Sequence, residues 1–362
     1  MLEHSKLPGS DSDAQFLGWQ NTLSGEIFPV FNITVANHPF NHSTVTDTTL
    51  RRLGLRVPQT LSPYPETGPS PWQNLGIELS HARTARHAIV MSGLNFTVVK
   101  KQRELKEQDA YAIVRTDTED VLGFVNERYE PIQNIDAFKF FDALVSAGEA
   151  TYETAGVFGK GERIWILAKL PGYVKVHGND IINRYLLLTN THDGSSHVRV
   201  KLTPIRVICS NTLTSALQGA GEIQISHTTN AAKNSEQAAA ILRWSNSLYD
   251  ELDILFNGMA YKKITEEQLR QYVQALVPDN EEAENTERTE KIRNSVLQLH
   301  DSGRGAHLSR GTVWGAFNSV TEYTDHMMLG EDAATRLDSI WFGRGEQLKL
   351  KAFHLAEQMM TA

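Results

Sequence analysis

The sequence predicts an α+β fold, in which an antiparallel β-meander is flanked by helices and followed by a mostly helical C-terminal part. Four segments between residues 150 and 208 show the two-residue alternation of strands, and glycine-containing turns join them. Residues 135–147 show the periodicity of a helix that ends at Gly148. The expected core lies between this helix and one face of the meander and consists of Phe138, Phe141, Ile164, Ile166, Val198 and Val200.

Three regions follow from the change of pattern along the chain. Residues 1–70 are rich in proline near their end, and we expect an extended N-terminal arm and linker there. Residues 71–230 form the predicted α+β core domain, which the segment CSNTLTSALQ closes as a helix. Residues 231–362 form the predicted helical C-terminal subdomain. Its helices are expected near residues 231–256, 265–276, 286–299, 312–328 and 346–360.

Composition excludes several classes of protein. Of the 362 residues, 40% are hydrophobic and 22% are charged, which is enough to bury a sizeable core. No apolar run reaches the roughly 18 residues of a membrane span, and the N-terminus lacks a signal-peptide pattern, so we expect a cytoplasmic protein without a membrane partner. The single cysteine, Cys209, excludes an internal disulfide and is expected to be a small buried hydrophobe. The net charge of -8 argues against a generally basic nucleic-acid binder but allows a local basic face.

The common enzyme signatures are missing from the sequence. GVFGKGE holds a lysine after a glycine, but its spacing is too short for a phosphate-binding loop, and a hairpin turn explains it. The zinc-protease, serine-hydrolase and dinucleotide-binding patterns do not occur. We therefore expect no cofactor and no catalytic residue.

Residues 191–197, with the sequence THDGSSH, allow two interpretations. His192, Asp193 and His197 could form a metal or acid–base site. Alternatively, Asp193 and Gly194 form a hairpin turn between two strands, because this dipeptide suits the positive φ angles of such turns. The turn is the favoured interpretation, and no bound metal is expected.

Two strands of the meander combine an apolar face with a basic face, because successive side chains of a strand point to opposite sides. The predicted basic face consists of Arg163, Trp165 and Lys169 from ERIWILAKL, Arg199 and Lys201 from HVRVKLT, and Arg184 and Arg206 from flanking positions. Cations that neutralise phosphates and a ring that stacks on bases are what a single-strand binder needs. An ordinary solvent-facing sheet surface is the alternative interpretation.

Longer stretches of the sequence resemble a known family. PWQNLGIELS, HARTARHAIVMSGLNFTVV, VLGFVNERYEPIQNIDAFKFFDAL, ERIWILAKLPG and YLLLTNTHDGSSHVRVKLTPIRVICSNTL, followed by GTVWGAFNSVTEYTDH and FGRGEQLKLKAF, are similar to the phage- and plasmid-like family of unknown function numbered 932. The resemblance covers about residues 71–360 and implies a mobile-element protein in a bacterial host. The order helix, antiparallel meander, helix also resembles the core of eukaryotic-type single-strand annealing proteins, which assemble into rings or filaments.

The basic face and the resemblance together lead us to expect a single-stranded DNA-binding protein that promotes strand annealing or recombination as a homo-oligomer and is not an enzyme. Two alternatives stay open at this point. One is a metal-dependent nucleic-acid-processing enzyme that uses residues 191–197, and the other is a structural or host-interaction protein whose sheet face contacts another protein. The preference for DNA or RNA is also open.

Overall fold

The computed structural model describes residues 12–21, 27–35, 70–72, 75–105, 108–195, 198–213, 222–224, 231–279, 286–328 and 332–361. The chain divides into two compact units, residues 1–59 and residues 60–362. In the first unit, strands β1 (Ser12–Asn21) and β2 (Ile27–Val35) form an antiparallel hairpin. The region predicted as an extended arm therefore contains a pair of strands in its described part.

The second unit begins with a short edge strand, a helix and a three-stranded antiparallel sheet. These elements are β3 (Ile77–Glu78), α1 (Ala85–Met91), β4 (Val98–Leu105), β5 (Gln108–Arg115) and β6 (Val121–Val125). Thr84 caps α1 by accepting a hydrogen bond from the amide of His87 at 3.1 Å. Strand β5 is central in the sheet, because it pairs with both β4 and β6.

The helix predicted over residues 135–147 is divided into three short segments. They are α2 (Asn134–Ala137), a 3-10 turn (Lys139–Phe141) and α3 (Asp142–Ser146). The division occurs at Phe138, whose φ of -113° and ψ of 10° lie outside helical geometry. Phe138 and Phe141 are nevertheless buried, as the apolar pattern predicted, and Gly148 ends the region with a φ of +70°.

The meander is the main part of an eight-stranded antiparallel sheet. Its further strands are β7 (Thr151–Phe158), β8 (Arg163–Val176), β9 (Asp180–Thr191), β10 (Arg199–Leu202), β11 (Ile205–Arg206), β12 (Asn211–Thr212) and β13 (Glu222–Gln224). The strand order is β12-β11-β9-β8-β7-β3, while β10 pairs with β9 and β13. The helix predicted over CSNTLTSALQ is wrong for residues 209–213, which form a turn and a strand, whereas residues 214–218 lie outside the described residues.

Residues 231–361 are helical throughout most of their described length. The helices are α4 (Ala231–Tyr261), α5 (Glu266–Leu276), α6 (Thr286–Ser302), α7 (Ala306–Ser309), α8 (Val313–Glu322) with a π-helical turn (Tyr323–Met327), α9 (Ala333–Phe342) and α10 (Arg344–Thr361). The five predicted helices are present, and the α+β class is confirmed. Helix α9 was not predicted, and it is important for the candidate site.

Apolar clusters cover both sides of the meander. The first cluster joins α2, α3, α4 and α8 to one side and contains Phe138, Phe141, Ile164, Ile166, Val198 and Val200, as predicted. The second cluster lies on the opposite side and contains Trp165, Leu167, Tyr185 and Leu187 together with residues of α9. The burial of each large aliphatic side chain stabilises the fold by about 1.5–3 kcal/mol. The sheet is therefore an inner layer of the second unit.

An ion pair in the interior joins the meander to the helices. Arg206 and Asp180 are each 1% exposed, and Arg206 Nη2 lies 2.6 Å from Asp180 Oδ2. The indole of Trp314 donates a hydrogen bond to the same carboxylate oxygen at 2.8 Å, and Arg206 donates to the carbonyl of Gly305 at 3.1 Å. Burial lowers the pKa of Arg206, but the carboxylate of Asp180 outweighs burial and raises it, so the arginine is charged.

A second interior pair fixes the C-terminal helix. Lys349 of α10 donates to Asp325 Oδ1 at 3.0 Å, and both side chains are fully buried. The other carboxylate oxygen of Asp325 accepts bonds from the amide and the hydroxyl of Thr212 at 2.6 and 2.7 Å. Burial lowers the pKa of Lys349, while Asp325 opposes that shift. Strand β12 is therefore bonded to both the π-helical turn and α10.

The first pair gives a testable stability prediction. Arg206→Met should destabilise the protein by about 3–5 kcal/mol, because it leaves the carboxylate of Asp180 buried without its cation. The shift of the urea unfolding midpoint measures this loss. The exposed Arg243→Met is the matched control and should leave the midpoint almost unchanged. Equal midpoints for the two variants would show that Arg206 does not hold the fold together.

Candidate nucleic-acid interface

The strand register places most of the predicted basic face on one side of the meander. Trp165 pairs with Thr189, and Thr189 pairs with Arg199, in one row across β8, β9 and β10. Lys201 lies in the next row, opposite Leu187. Directly opposite residues project to the same side of a sheet. The predicted residues that share this side are Arg163, Trp165, Lys169, Arg199 and Lys201.

Helix α9 covers this side of the meander. Leu337, Ile340 and Trp341 of α9 are buried in the second cluster together with Trp165, whose exposed fraction is 0%. The rings of Trp165 and Trp341 meet edge to face with centroids 5.1 Å apart. The expectation that Trp165 lines an open groove is therefore wrong. Alternation identifies the side to which a residue points but does not reveal which later segment packs on that side.

Carboxylates pair with the two arginines at the border of this covered side. Arg163 Nη1 lies 2.7 Å from Asp338 of α9, and its side chain is 22% exposed. Arg199 Nη1 lies 2.5 Å from Glu222 of β13, and its side chain is 40% exposed. Partly exposed pairs of this kind contribute little stability, about 0–1 kcal/mol each. They nevertheless place an anion where a phosphate was expected.

Lys201 lies deeper than the arginines and has even less contact with solvent. It is 7% exposed, donates to the carbonyl of Trp341 at 2.8 Å and pairs with Glu346 of α10. The ring of Phe342, the last residue of α9, lies between two cations, 5.2 Å from Lys201 Nζ and 4.3 Å from the guanidinium carbon of Arg163. The expectation of a solvent-facing Lys201 is wrong, because α9 and α10 enclose its ammonium group.

The remaining predicted residues do not join one groove. Lys169 is half-buried on the side that α9 covers. Arg206 pairs opposite Ile182, whose side chain belongs to the first cluster, so Arg206 points to the other side. Arg184 also points there, and its guanidinium lies 4.5 Å from the ring of Tyr249 in α4. The flanking positions were predicted without a register, and both are corrected to the opposite side of the sheet.

Residues 191–195 form a turn in the structure. Gly194 has a φ of +81°, and the carboxylate of Asp193 accepts a hydrogen bond from the amide of Ser195 at 2.8 Å. His192 is completely buried, with its Nε2 2.8 Å from Asn134 Oδ1. His197 lies outside the described residues. Among the residues that the structure describes, no group of three His, Cys, Asp or Glu could hold a metal ion.

The environment of His192 gives a prediction about pH. Burial lowers the pKa of His192 to about 4, against about 6.5 in the unfolded chain. The unfolded state therefore binds a proton first, so the full stability is present above pH 6.5 and is lost as the pH falls towards 4. Between these limits the parent should lose about 3 kcal/mol through this group. Urea unfolding at several pH values measures the loss.

The control for this prediction removes the imidazole. In His192→Gln the same fall in pH should cost about 3 kcal/mol less than in the parent, whereas His307→Gln, at an exposed position, should behave as the parent does. Identical pH profiles for the parent and His192→Gln would contradict the assignment.

A different surface combines an open aromatic ring with a cation. The outer face of the three-stranded sheet comprises Val99, Lys101, Ala112, Val114 and Phe124, which the register places on one side. Phe124 is 59% exposed and Val99 is 39% exposed. Lys101 pairs with Ala112, and Ala112 pairs with Phe124, so the three residues form one row across the sheet. Ala112 is fully buried between them, so the exposed members of this row are the lysine and the ring.

The cation of this outer face is held only weakly. Lys101 Nζ lies 2.7 Å from Glu119, but the two side chains are 48% and 69% exposed. Water screens such a pair, so a phosphate group can compete with the carboxylate. Arg103 continues the register opposite Ala110, which repeats the order of a cationic residue beside an alanine.

The sequence contains the signal for this outer face, although our sequence analysis did not use it. In VVKKQREL, Lys101 and Arg103 alternate with other residues, and in DAYAIVR two alanines alternate in the same way. The pattern becomes informative only with the register, because a shift of one residue would place Lys100 rather than Lys101 beside Phe124.

Cys209 lies in the interior, as the sequence predicts. Cys209 is buried, and burial raises the pKa of its thiol to about 12, so it is a small apolar side chain rather than a nucleophile. No described helix has the length and apolar character that spanning a bilayer requires.

Comparison with known proteins gives one match. The family described as Domain of unknown function (DUF932) matches residues 121–341, more than half of the chain. The matched segment is shorter than the expected 71–360 and runs from β6 to Trp341 near the end of α9. No curated protein and no solved structure matches the chain.

Proposed function

The chain belongs to the family described as Domain of unknown function (DUF932), and we propose that it binds single-stranded DNA on the outer face of its three-stranded sheet. The observation that carries the proposal is the row Lys101–Ala112–Phe124, in which an exposed ring and an exposed cation flank a small residue. The meander side that was first expected to bind DNA is covered by α9.

The geometry of this row fits one nucleotide of an unpaired strand. Neighbouring strands lie about 4.8 Å apart, so the backbones that carry Lys101 and Phe124 are separated by about 10 Å. A base can stack against the exposed ring of Phe124, while the adjoining phosphate contacts the exposed ammonium group of Lys101. Stacking of this kind accepts any base, so the expected binding has little sequence preference. A duplex hides its base faces and would not fit.

The proposed role of this DNA binding is strand annealing. Annealing requires neutralised phosphates and accessible bases but no catalytic residue, so the function needs no metal or cofactor. We place the protein in the cytoplasm of a bacterial host that carries a phage, plasmid or integrative element, where it would act as a homo-oligomer. This part of the proposal is supported by the resemblance of the sequence to mobile-element and annealing proteins.

Two substitutions on the outer face should leave different signatures. Phe124→Ala should weaken binding of a single-stranded DNA by about 1–3 kcal/mol without changing its salt dependence, because a stacked ring neutralises no phosphate. Lys101→Ala should weaken binding and reduce the slope of log affinity against log salt by about one. Fluorescence anisotropy with a labelled oligothymidine at several salt concentrations measures both effects, and an RNA of equal length tests the choice of nucleic acid.

Matched controls separate this surface from the rest of the protein. Phe124→Trp should retain binding, whereas Phe124→Leu should behave as Phe124→Ala does, because only the aromatic variants can stack. Lys351→Ala removes an exposed cation from α10 and should change nothing. If Phe124→Ala and Lys101→Ala bind as the parent does while Arg163→Gln or Arg199→Gln does not, the meander side is the interface. Absence of binding by the parent would favour a protein contact on the outer face.

A further inference from the structure

The outward side of α1 is basic and aliphatic. Its exposed residues are Arg86, His87, Val90 and Met91, which share one side at 100° per residue, and the exposed Arg83 lies just before the N-cap Thr84. The inward residues of the helix, Ala85, Ala88 and Ile89, are buried. Val90 is 49% exposed and Met91 is 38% exposed, which is high for residues of this type. The sequence from residue 79 to residue 101 contains no Asp or Glu.

Helix α4 has a side with the opposite charge and the same aliphatic character. Asp250, Glu251 and Asp253 lie within one turn, and Ile254, one turn after Asp250, is 46% exposed. Burial and the neighbouring Asp250 raise the pKa of Asp253 to about 6 and also raise that of Glu251. The three half-buried carboxylates give this side of α4 a negative charge, which favours a cationic partner surface. Arg243, two turns before Asp250, marks the end of this acidic side.

We propose that the outward side of α1 in one copy of the chain packs on the acidic side of α4 in a second copy. In this arrangement Arg83 and Arg86 approach Asp250 and Glu251, while Val90 covers Ile254. The complementary charge of the two sides and their matching aliphatic residues carry the proposal. It rests on the homo-oligomer of the proposed function and names its contact, but it is independent of the proposed DNA site, because neither side includes the outer face of the three-stranded sheet.

The second copy fits this surface better than a nucleic acid does. The outward side of α1 holds no Phe, Tyr or Trp on which a base could stack, and its most exposed apolar residues are Val90 and Met91. The contact joins two different surfaces, so each copy keeps one free α1 and one free α4 for further copies. Such a heterologous contact produces a ring if the rotation closes and a filament if it does not.

Reciprocal charge reversal of the full chain tests the contact. Mass photometry and sedimentation velocity give the assembly state of the parent, of Arg83→Glu/Arg86→Glu and of Asp250→Lys/Glu251→Lys. Each variant alone should assemble with a dissociation constant raised about a hundredfold, because like charges then face one another. An equal mixture of the two variants should regain the assembly of the parent, since every contact again joins opposite charges. Asp250→Asn/Glu251→Gln serves where the lysine variant does not fold.

Two control variants leave both sides of the proposed contact unchanged. Arg344→Glu/Lys351→Glu reverses two exposed cations on α10 and should assemble as the parent does. Phe124→Ala should also keep the assembly, so failure of this contact and failure of the proposed DNA site can be distinguished. A parent that stays monomeric at micromolar concentration would overturn the proposal, as would charge-reversed variants that assemble normally. Loss of DNA binding by Arg83→Glu/Arg86→Glu without a change in mass would assign α1 to the nucleic acid instead.

Discussion

The buried carboxylate of Asp180 constrains the arrangement of the second unit. A carboxylate with 1% exposure is stable only when a cation and hydrogen-bond donors surround it, and here Arg206 and Trp314 supply them. These donors belong to β11 and α8, so the end of the β8–β9 hairpin cannot pack without the helix. The pair of Lys349 and Asp325 places the same requirement on α10. Meander and helices must therefore assemble together.

This constraint explains why α9 covers the meander. The helix lies in the chain between Asp325 and Lys349, and the buried pair of these two residues holds its flanking segments in place. The apolar residues of α9 then meet the side that carries Trp165, while Asp338 pairs with a strand arginine. The charged groups of Arg163 and Lys201 lie over the ring of Phe342 and pair with carboxylates. Their role in the structure is packing and orientation of α9.

Sequence patterns predicted those features of the fold that depend on residues close together in the chain. Alternation predicted that Ile164 and Trp165 point to opposite sides, and the register confirms it. The same rule could not reveal that α9 covers Trp165, because the covering residues are more than 160 positions away in the chain. Arg206 was assigned to the wrong side because a two-residue strand after Pro204 gives no alternation to follow. Tertiary contacts also divided the predicted helix at Phe138, which no periodicity indicates.

The contrast between Trp165 and Phe124 shows how packing decides which ring is accessible to a ligand. Trp165 lies on a central strand of the meander, and Phe124 lies on an edge strand of the three-stranded sheet. Each ring shares its side of the sheet with a cation, so the sequence pattern does not distinguish the two rings. The meander is long and lies between helices on both sides, so Trp165 contributes to a core. Residues such as Val98 and Ile113 pack one side of the three-stranded sheet on the first cluster, whereas Phe124 on the other side is largely exposed. An exposed ring contributes little to folding, so Phe124 is free to contact a ligand in a way that the buried Trp165 is not.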